Sequence, residues 1–396
     1  MVDERRLAEE LVPPPRATFL ELFLDLAYVF ALTRVSQRLI AGLETPDGDV
    51  LSSAVEALLL FLALWMVWSL TAWSTSRLNS DRALGQAIVV WTMFGSMVMA
   101  VALPRAFHER DVLFATAYVS VQVGRALLLV LFLRDGLPRA TVRLLCWGVA
   151  SAVPWLVGAI GPHRWQLPLW VLALLMDYGG AATGWPVPGL GRRRAAGITI
   201  AGEHLGERYQ QFFLIALGES ILVMGVAASG TDLVRGSASA FVLAFVTTAL
   251  LWRIYFHRAG HLLGEALALA RRPGRLGESA TYTHLTMVVA VVLTAVGYEL
   301  VIKHPTGRDD PVWAVVVLGG PALFLAARAR FEYEIFGRVS RPRVIAAAVL
   351  VALIPLMRSL PAIAVLATSA VVLGSVAAAD ALRGHGRPAE RPASPM

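Results

Sequence analysis

The chain predicts an all-α fold, a polytopic transmembrane bundle of about twelve spans, and three observations carry that prediction. Of 396 residues, 57% are hydrophobic and only 16% charged, with a mean hydropathy of +0.64, whereas soluble domains carry about one quarter charged residues. The apolar residues form continuous runs without alternation, and the runs are far longer than the roughly 10 residues of a barrel strand. Each run approaches the roughly 20 residues that take a helix across a bilayer core.

Breaking the runs at charge, Pro and Gly clusters gives twelve segments in order. They begin near Thr18, Val50, Ala83, Val112, Thr141, Gln166, Tyr209, Gly236, Thr281, Pro311, Arg343 and Leu360. The eleventh is the shortest, interrupted at Pro355 and Arg358, so eleven spans is the alternative count. Placing the N-terminus inside puts 24 Lys and Arg residues on inner segments against seven on outer ones. Positive charge is retained on the cytoplasmic side of membranes, so both termini are expected in the cytoplasm, in a cytoplasmic membrane, with an even number of spans. The organisation read from this is a cytoplasmic segment over 1–17, a six-span half over 18–186, a cytoplasmic linker over 187–208, a second six-span half over 209–382, and a disordered cytoplasmic tail over 383–396.

The same charge map disposes of nucleic acid as a partner. A pI of about 10.0 and a net charge of +7 arise from arginines that punctuate apolar runs and never gather in one basic domain. The partners expected instead are the bilayer, anionic lipids at the basic cytoplasmic rim, and a small ion or molecule of unknown identity; a homo-oligomer stays open. Lone Cys146 excludes a disulfide framework and a cysteine-rich metal site. Met1 to Arg16 carries Asp3, Glu4, Glu9 and Glu10 ahead of any apolar run, so no cleavable signal peptide is expected.

A weak internal echo suggests two parallel halves. Phe19-Leu20 precedes Asp25 at the spacing by which Phe213-Leu214 precedes Glu219, and the second and eighth segments share a Leu- and Trp-rich stretch around Trp65 and Trp252.

Ionisable groups at mid-membrane cost at least roughly 2.5 kcal/mol each, so every one demands a reason. Asp25, Arg125, Asp177 and Glu219 lie nearest the middle of their spans. In the first span Glu21, Asp25, Tyr28 and Ser36 share one helical face, while Arg34 and Arg38 point elsewhere near the outer end. Glu219 is flanked by Gly218 and Ser220, small residues that admit a close helix, water or an ion. Three deep carboxyls face one deep guanidinium; Arg125 is expected to pair with Asp177 or Glu219, leaving at least one carboxyl without a counter-charge. The ion path read from this is Glu21, Asp25, Tyr28, Arg125, Asp177, Glu219 and Ser220, with a separate inner-edge polar cluster of His204, Glu207 and Arg208.

Other chemistry finds little support. No catalytic, metal or cofactor set is read, and enzymatic activity is left open with a lean against it. His257 and His261 stand at i, i+4 and would need a helix to share a metal. Glu203-His204-Leu205-Gly206-Glu207 lacks the second His of a zincin and reads better as a helix start. Walker A, dinucleotide-turn and nucleophile-elbow motifs do not occur. Gly180-x-x-x-Gly184 fits a helix-packing motif, and Pro154, Pro321 and Pro355 fall inside spans.

Two stretches resemble a known family. Arg16-x-Thr-Phe-Leu-Glu-Leu-Phe-Leu-Asp-Leu-Ala-Tyr-Val-Phe-Ala-Leu-Thr resembles the opening signature of the bacterial low temperature requirement protein A family, and His204-Leu-Gly-Glu-Arg-Tyr followed by Leu217-Gly-Glu-Ser-Ile resembles its second hallmark. Arg125, Asp177 and Trp252-Arg-Ile-Tyr-Phe look familial too, so the likeness covers most of 16–260, and the last third matches in hydropathy alone. The resemblance implies a polytopic bacterial membrane protein of a family named for a growth phenotype in the cold, and it implies no particular biochemical activity. It points to Glu21, Asp25, Arg125, Asp177, Glu207, Arg208 and Glu219 as the polar positions, with His257 departing from an expected acidic residue. The function expected is a proton- or ion-coupled transporter- or channel-like protein using buried carboxylates. The alternative is a membrane-integral enzyme, or a lipid-interacting or structural stress-response protein without transport.

Overall fold

A backbone in a hydrocarbon environment must close its hydrogen bonds internally, and the apolar runs do so as helices. The computed structural model describes residues 16–44, 49–132, 139–192, 201–232, 235–257, 259–307, 311–384 and 390–395. Among these are thirteen α-helices and no strand, only an isolated bridge between Val187 and Gly191. The helices are α1 (Phe19–Glu44), α2 (Val50–Thr75), α3 (Ala83–Ala102), α4 (Asp111–Phe132), α5 (Arg139–Ile160), α6 (His163–Thr183), α7 (Gly202–Ser229), α8 (Arg235–Phe256), α9 (Leu263–Leu269), α10 (Pro273–Lys303), α11 (Pro311–Phe336), α12 (Arg341–Met357) and α13 (Ala362–Gly384). All but the short α9 overlap the twelve apolar segments one for one.

Nine of them are long and apolar enough to cross a membrane. The three long helices that fall short are α1, which carries Glu21, Asp25, Arg34 and Arg38; α6, which opens on His163-Arg164-Trp165-Gln166; and α12, with 17 residues. Local signals set several ends. Thr18 and Glu21 form a reciprocal capping box: Thr18 N–H donates to Glu21 Oε2 at 2.8 Å and Glu21 N–H to Thr18 Oγ1 at 3.4 Å. Asp49 caps α2 by accepting from the N–H groups of Leu51 and Ser52. Gly184, with φ of 78°, ends α6 in the left-handed region, so the expected Gly180–Gly184 packing pair is instead a helix terminator. Pro154, Pro321 and Pro355 stay inside α5, α11 and α12.

Several expectations for the connections change. The connection after α8 holds a 3-10 turn at Ala259–His261, then α9, and α10 begins at Pro273. With α8 ending at Phe256, His257 and His261 do not share a helical face. The linker expected over 187–208 is already helix from Gly202. Residues 390–395, expected to be disordered, are tied to the end of α11, through Glu390 with Arg338 and Ala393 N–H with the Ile335 carbonyl at 2.9 Å. The expectations for 1–15, 193–200 and 385–389 fall outside the described residues.

The chain divides into two compact units, unit 1 to Arg208 and unit 2 from Tyr209, with the division inside α7. In unit 1, α1 packs on α2 and α3, α2 on α3 and α6, α3 on α4, α4 on α5, and α5 on α6. In unit 2, α8 packs on α10 and α13, α10 on α11, α11 on α12, and α12 on α13. There α7 meets α8 through stacked Phe213 and Tyr255 rings and α10 through Tyr209 and His284. Successive helices pack on one another in each unit, α9 aside, and in unit 2 α11 also packs on α13. The centre of unit 1 is aromatic: Trp155 lies 5.0 Å from Trp170 and 4.6 Å from Tyr118, centroid to centroid, and all three are buried.

Candidate functional site

The charges of unit 1 meet where the start of α1 lies beside the start of α7. Glu21 and Asp25 are one helical turn apart on α1; His204 and Arg208 are one turn apart on α7. All four are fully buried. Arg208 grips Asp25 with two bonds, Nη1 to Oδ2 at 2.6 Å and Nη2 to Oδ1 at 2.8 Å, across 183 residues of sequence. Such a fork-to-carboxylate pair is the strong, geometrically specific form of ion pair. Trp68 of α2 donates its Nε1–H to Asp25 Oδ1 at 2.9 Å, and the Arg208 guanidinium lies 5.8 Å from the Trp68 ring.

One turn earlier, His204 Nε2 lies 3.0 Å from Glu21 Oε2, and Arg208 Nε lies 3.8 Å from Glu21 Oε1. His204 Nδ1 lies 3.1 Å from Ser76 Oγ, whose own proton goes to the Ala72 carbonyl at 2.7 Å. That hydroxyl therefore accepts from Nδ1–H, and the Nε2 contact with the carboxylate needs a second proton, carried by His204 or by Glu21. Counted as charges, two carboxylates face one guanidinium and an imidazole, and the shared proton makes the set neutral. Glu207 stands at the rim of this group, accepting from Ala17 N–H at 2.9 Å and lying 3.8 Å from Arg16 Nε.

A second polar group lies between α2, α4 and α6. Asp177 accepts from the Tyr118 hydroxyl at 2.6 Å, and Gln122 Nε2–H donates to the same hydroxyl at 3.2 Å. Arg125 donates to Thr71 Oγ1 at 3.2 Å and to Gln122 Oε1. Arg125 and Asp177 line a cavity of about 50 Å³, closed on one side by Trp185, whose ring sits over Gly180. The expected Arg125–Asp177 ion pair is thus replaced by neutral partners on both sides. The bidentate role expected of Arg125 belongs to Arg208, which the sequence had placed in a separate cluster. Tyr28 hydrogen-bonds the Leu64 carbonyl at 3.3 Å and Ser96 Oγ at 3.0 Å.

At the other end of α1, Arg38 pairs with Glu56 of α2 and donates to the Pro104 carbonyl at 2.9 Å, so it is tied into the helix end. In unit 2, Glu219 and Ser220 are fully buried on α7, and Ser220 Oγ donates to the Ala216 carbonyl at 3.4 Å.

A profile of the bacterial low temperature requirement A protein matches residues 16–378. The chain belongs to the bacterial low temperature requirement A family. It is also 35% identical over 324 residues to a protein of Rhizobium meliloti (strain 1021) named "Uncharacterized protein RA0937", covering 81% of this chain and 78% of that one. No solved structure matches. Membership of this low temperature requirement A family, together with nine membrane-length apolar helices, makes this a multi-pass membrane protein.

Glu21, Asp25, His204 and Arg208, separate sets in the sequence reading, form one network here. Trp68 was missed as a site residue, and no spacing rule marks it, because its partner lies on another helix. Ser76 and Thr18 were missed as well; Thr18 had a readable signal, the Thr-x-x-Glu capping pattern ahead of an apolar run. Arg328 and Asp380 of unit 2 also had one: Arg328 precedes Asp380 by the same interval by which Arg125 precedes Asp177.

Proposed function

We propose that this chain is a proton- or ion-coupled, transporter- or channel-like protein whose proton-holding element is the buried Glu21–His204 pair. Asp25, Arg208 and Trp68 hold α1, α2 and α7 around that element. The observation that carries this reading is the charge balance of the network: in full burial, two carboxylates are matched only if His204 or Glu21 holds a proton. A proton placed by such a pair is the one mobile charge in an otherwise interlocked set. Tyr28, Arg125 and Asp177 with their small cavity, and Glu219 with Ser220 in unit 2, are the remaining polar positions of the proposed path.

The test is flux driven by a pH gradient in proteoliposomes, comparing wild type with His204→Gln, Glu21→Gln, Asp25→Asn and Glu219→Gln. The expected result is proton movement in wild type that His204→Gln and Glu21→Gln abolish; equal flux in all five would overturn the reading. A second reading is favoured by the saturation of the same groups, since Glu21 also caps α1 and Asp25 is held by three donors. There the network is a static clamp, and His204→Gln lowers stability while wild type itself carries no flux.

The same proposal has twelve spans in two parallel halves of six, with both termini on the cytoplasmic side of the cytoplasmic membrane. Support comes from the twelve long helices, the packing of successive helices in each unit and the positive charge of alternate loops. In a Cys146→Ser background, cysteines introduced at Arg77 and Arg341 should label from the inside, and those at Arg105 and Arg358 from the outside. Labelling of Arg77 and Arg105 from the same side would refute it.

A further inference from the structure

Unit 2 contains a basic cavity that the proton reading does not use. It lies where the turn between α11 and α12 meets the ends of α8 and α13, has a volume of about 230 Å³, and is lined by five arginines against two carboxylates. Both carboxylates, Glu332 and Asp380, are engaged by Arg343, at 2.5 Å and 2.6 Å. Arg338 pairs with Glu390, while Arg328 and Arg341 make no ion pair among the described residues.

Arg328 is the decisive residue. It is 1% exposed, and its Nε and Nη2 donate to the carbonyls of Ile254 (3.2 Å), Tyr255 (3.3 Å) and His257 (2.8 Å) at the end of α8. Those carbonyls satisfy donors and complement the helix end, but they carry no formal charge. Among the described residues its Nη1 is buried with no hydrogen-bond partner, as is the Nε of Arg343, and both side chains line the cavity. A buried, unmatched guanidinium donor is costly unless something answers it. The cavity is also lined by the first turn of α12, where N-cap Ser340 supplies no side-chain bond; Pro342 brings no N–H, so the N–H groups of Arg341 and Arg343 carry the positive end of the helix there. Arg341 of that turn is exposed and makes no ion pair among the described residues.

We infer that this cavity binds a phosphate-type oxyanion, with Arg328, Arg341 and the start of α12 as its donors. A volume of about 230 Å³ exceeds the roughly 30 Å³ share of one water several-fold, enough for a phosphate group with part of an ester substituent. The shared chemistry is a tetrahedral oxyanion, and its source is either an anionic lipid headgroup or a phosphate from solution. This inference does not rest on the proton reading.

The test uses the full chain purified in detergent and titrated with inorganic phosphate at constant ionic strength, chloride serving as control. The same chain is then placed in nanodiscs of phosphatidylcholine with or without phosphatidylglycerol. Melting temperature and calorimetric binding are read for wild type, Arg341→Gln and Arg328→Lys. Arg341 is exposed, so its variant keeps the test open if Arg328→Lys fails to fold. Phosphate binding that weakens about tenfold or more in Arg341→Gln supports the site with a soluble source. A stabilisation by phosphatidylglycerol alone, lost in Arg341→Gln, supports it with a lipid source. Wild type and Arg341→Gln responding alike to both probes would overturn it.

Discussion

Units 1 and 2 both pack successive helices on one another, and each carries an arginine on its fourth long helix and an aspartate on its sixth, yet they settle those charges differently. The fourth-helix arginine is held by neutral acceptors in both: Arg125 by Thr71 and Gln122, Arg328 by backbone carbonyls. The aspartates diverge. Asp177 accepts a hydrogen bond from the Tyr118 hydroxyl, whereas Asp380 pairs with the guanidinium of Arg343 on the fifth long helix. Unit 1 also has an arginine near the start of its fifth helix, Arg143, but it is spent on the Leu190 carbonyl at 3.1 Å. Charges at like positions along the two units therefore meet different partners. The consequence is a cavity of about 50 Å³ beside Asp177 and a larger, basic one beside Asp380.

The sharpest way to break this comparison is to remove the guanidinium that answers a carboxylate in each unit. Arg208→Gln strands buried Asp25, and Arg343→Gln strands Asp380 and Glu332; each should cost about 3–5 kcal/mol, read by denaturant unfolding in micelles. A loss under about 1 kcal/mol in either would mean that the pair is not what neutralises that acid. Tyr118→Phe should cost about 1–3 kcal/mol, since Asp177 loses its hydrogen-bond donor. If it costs as much as Arg343→Gln, the distinction between a phenol hydrogen bond and a guanidinium ion pair fails. Arg143→Gln should cost about 1 kcal/mol, because only a carbonyl contact goes. Smallest is Trp68→Phe, about 1 kcal/mol or less, since two Arg208 bonds to Asp25 remain; a larger loss would make Trp68 an equal partner in the clamp.

Much of the architecture was legible beforehand. Twelve apolar runs became twelve long helices because hydropathy and backbone hydrogen bonding act within a run. Short α9 escaped because seven residues inside an Arg- and Gly-rich loop carry no span-length signal. The ends shifted where capping chemistry outweighs hydropathy, as at Pro273, which opens α10 well before its apolar stretch. Of the site, the residues were legible by depth: Glu21, Asp25, Arg125, Asp177, His204 and Arg208 all stood out as polar groups in or at apolar runs. Their grouping was not, and Arg208 was assigned to a separate cluster because its position was counted along the sequence, without the helix face that it meets.

By itself the sequence determined which segments are helical, in what order they follow, and that a few charges must be buried among them. Each of these follows from local composition and from the cost of an unsatisfied backbone in an apolar medium. Only the tertiary structure decided that Asp25 meets Arg208, that Glu21 meets His204, and that Arg125 meets Thr71 and Gln122 while Asp177 meets Tyr118. Those pairings depend on which helix faces lie together across 183 residues of chain and on where each side chain ends, and no spacing rule along one helix encodes either.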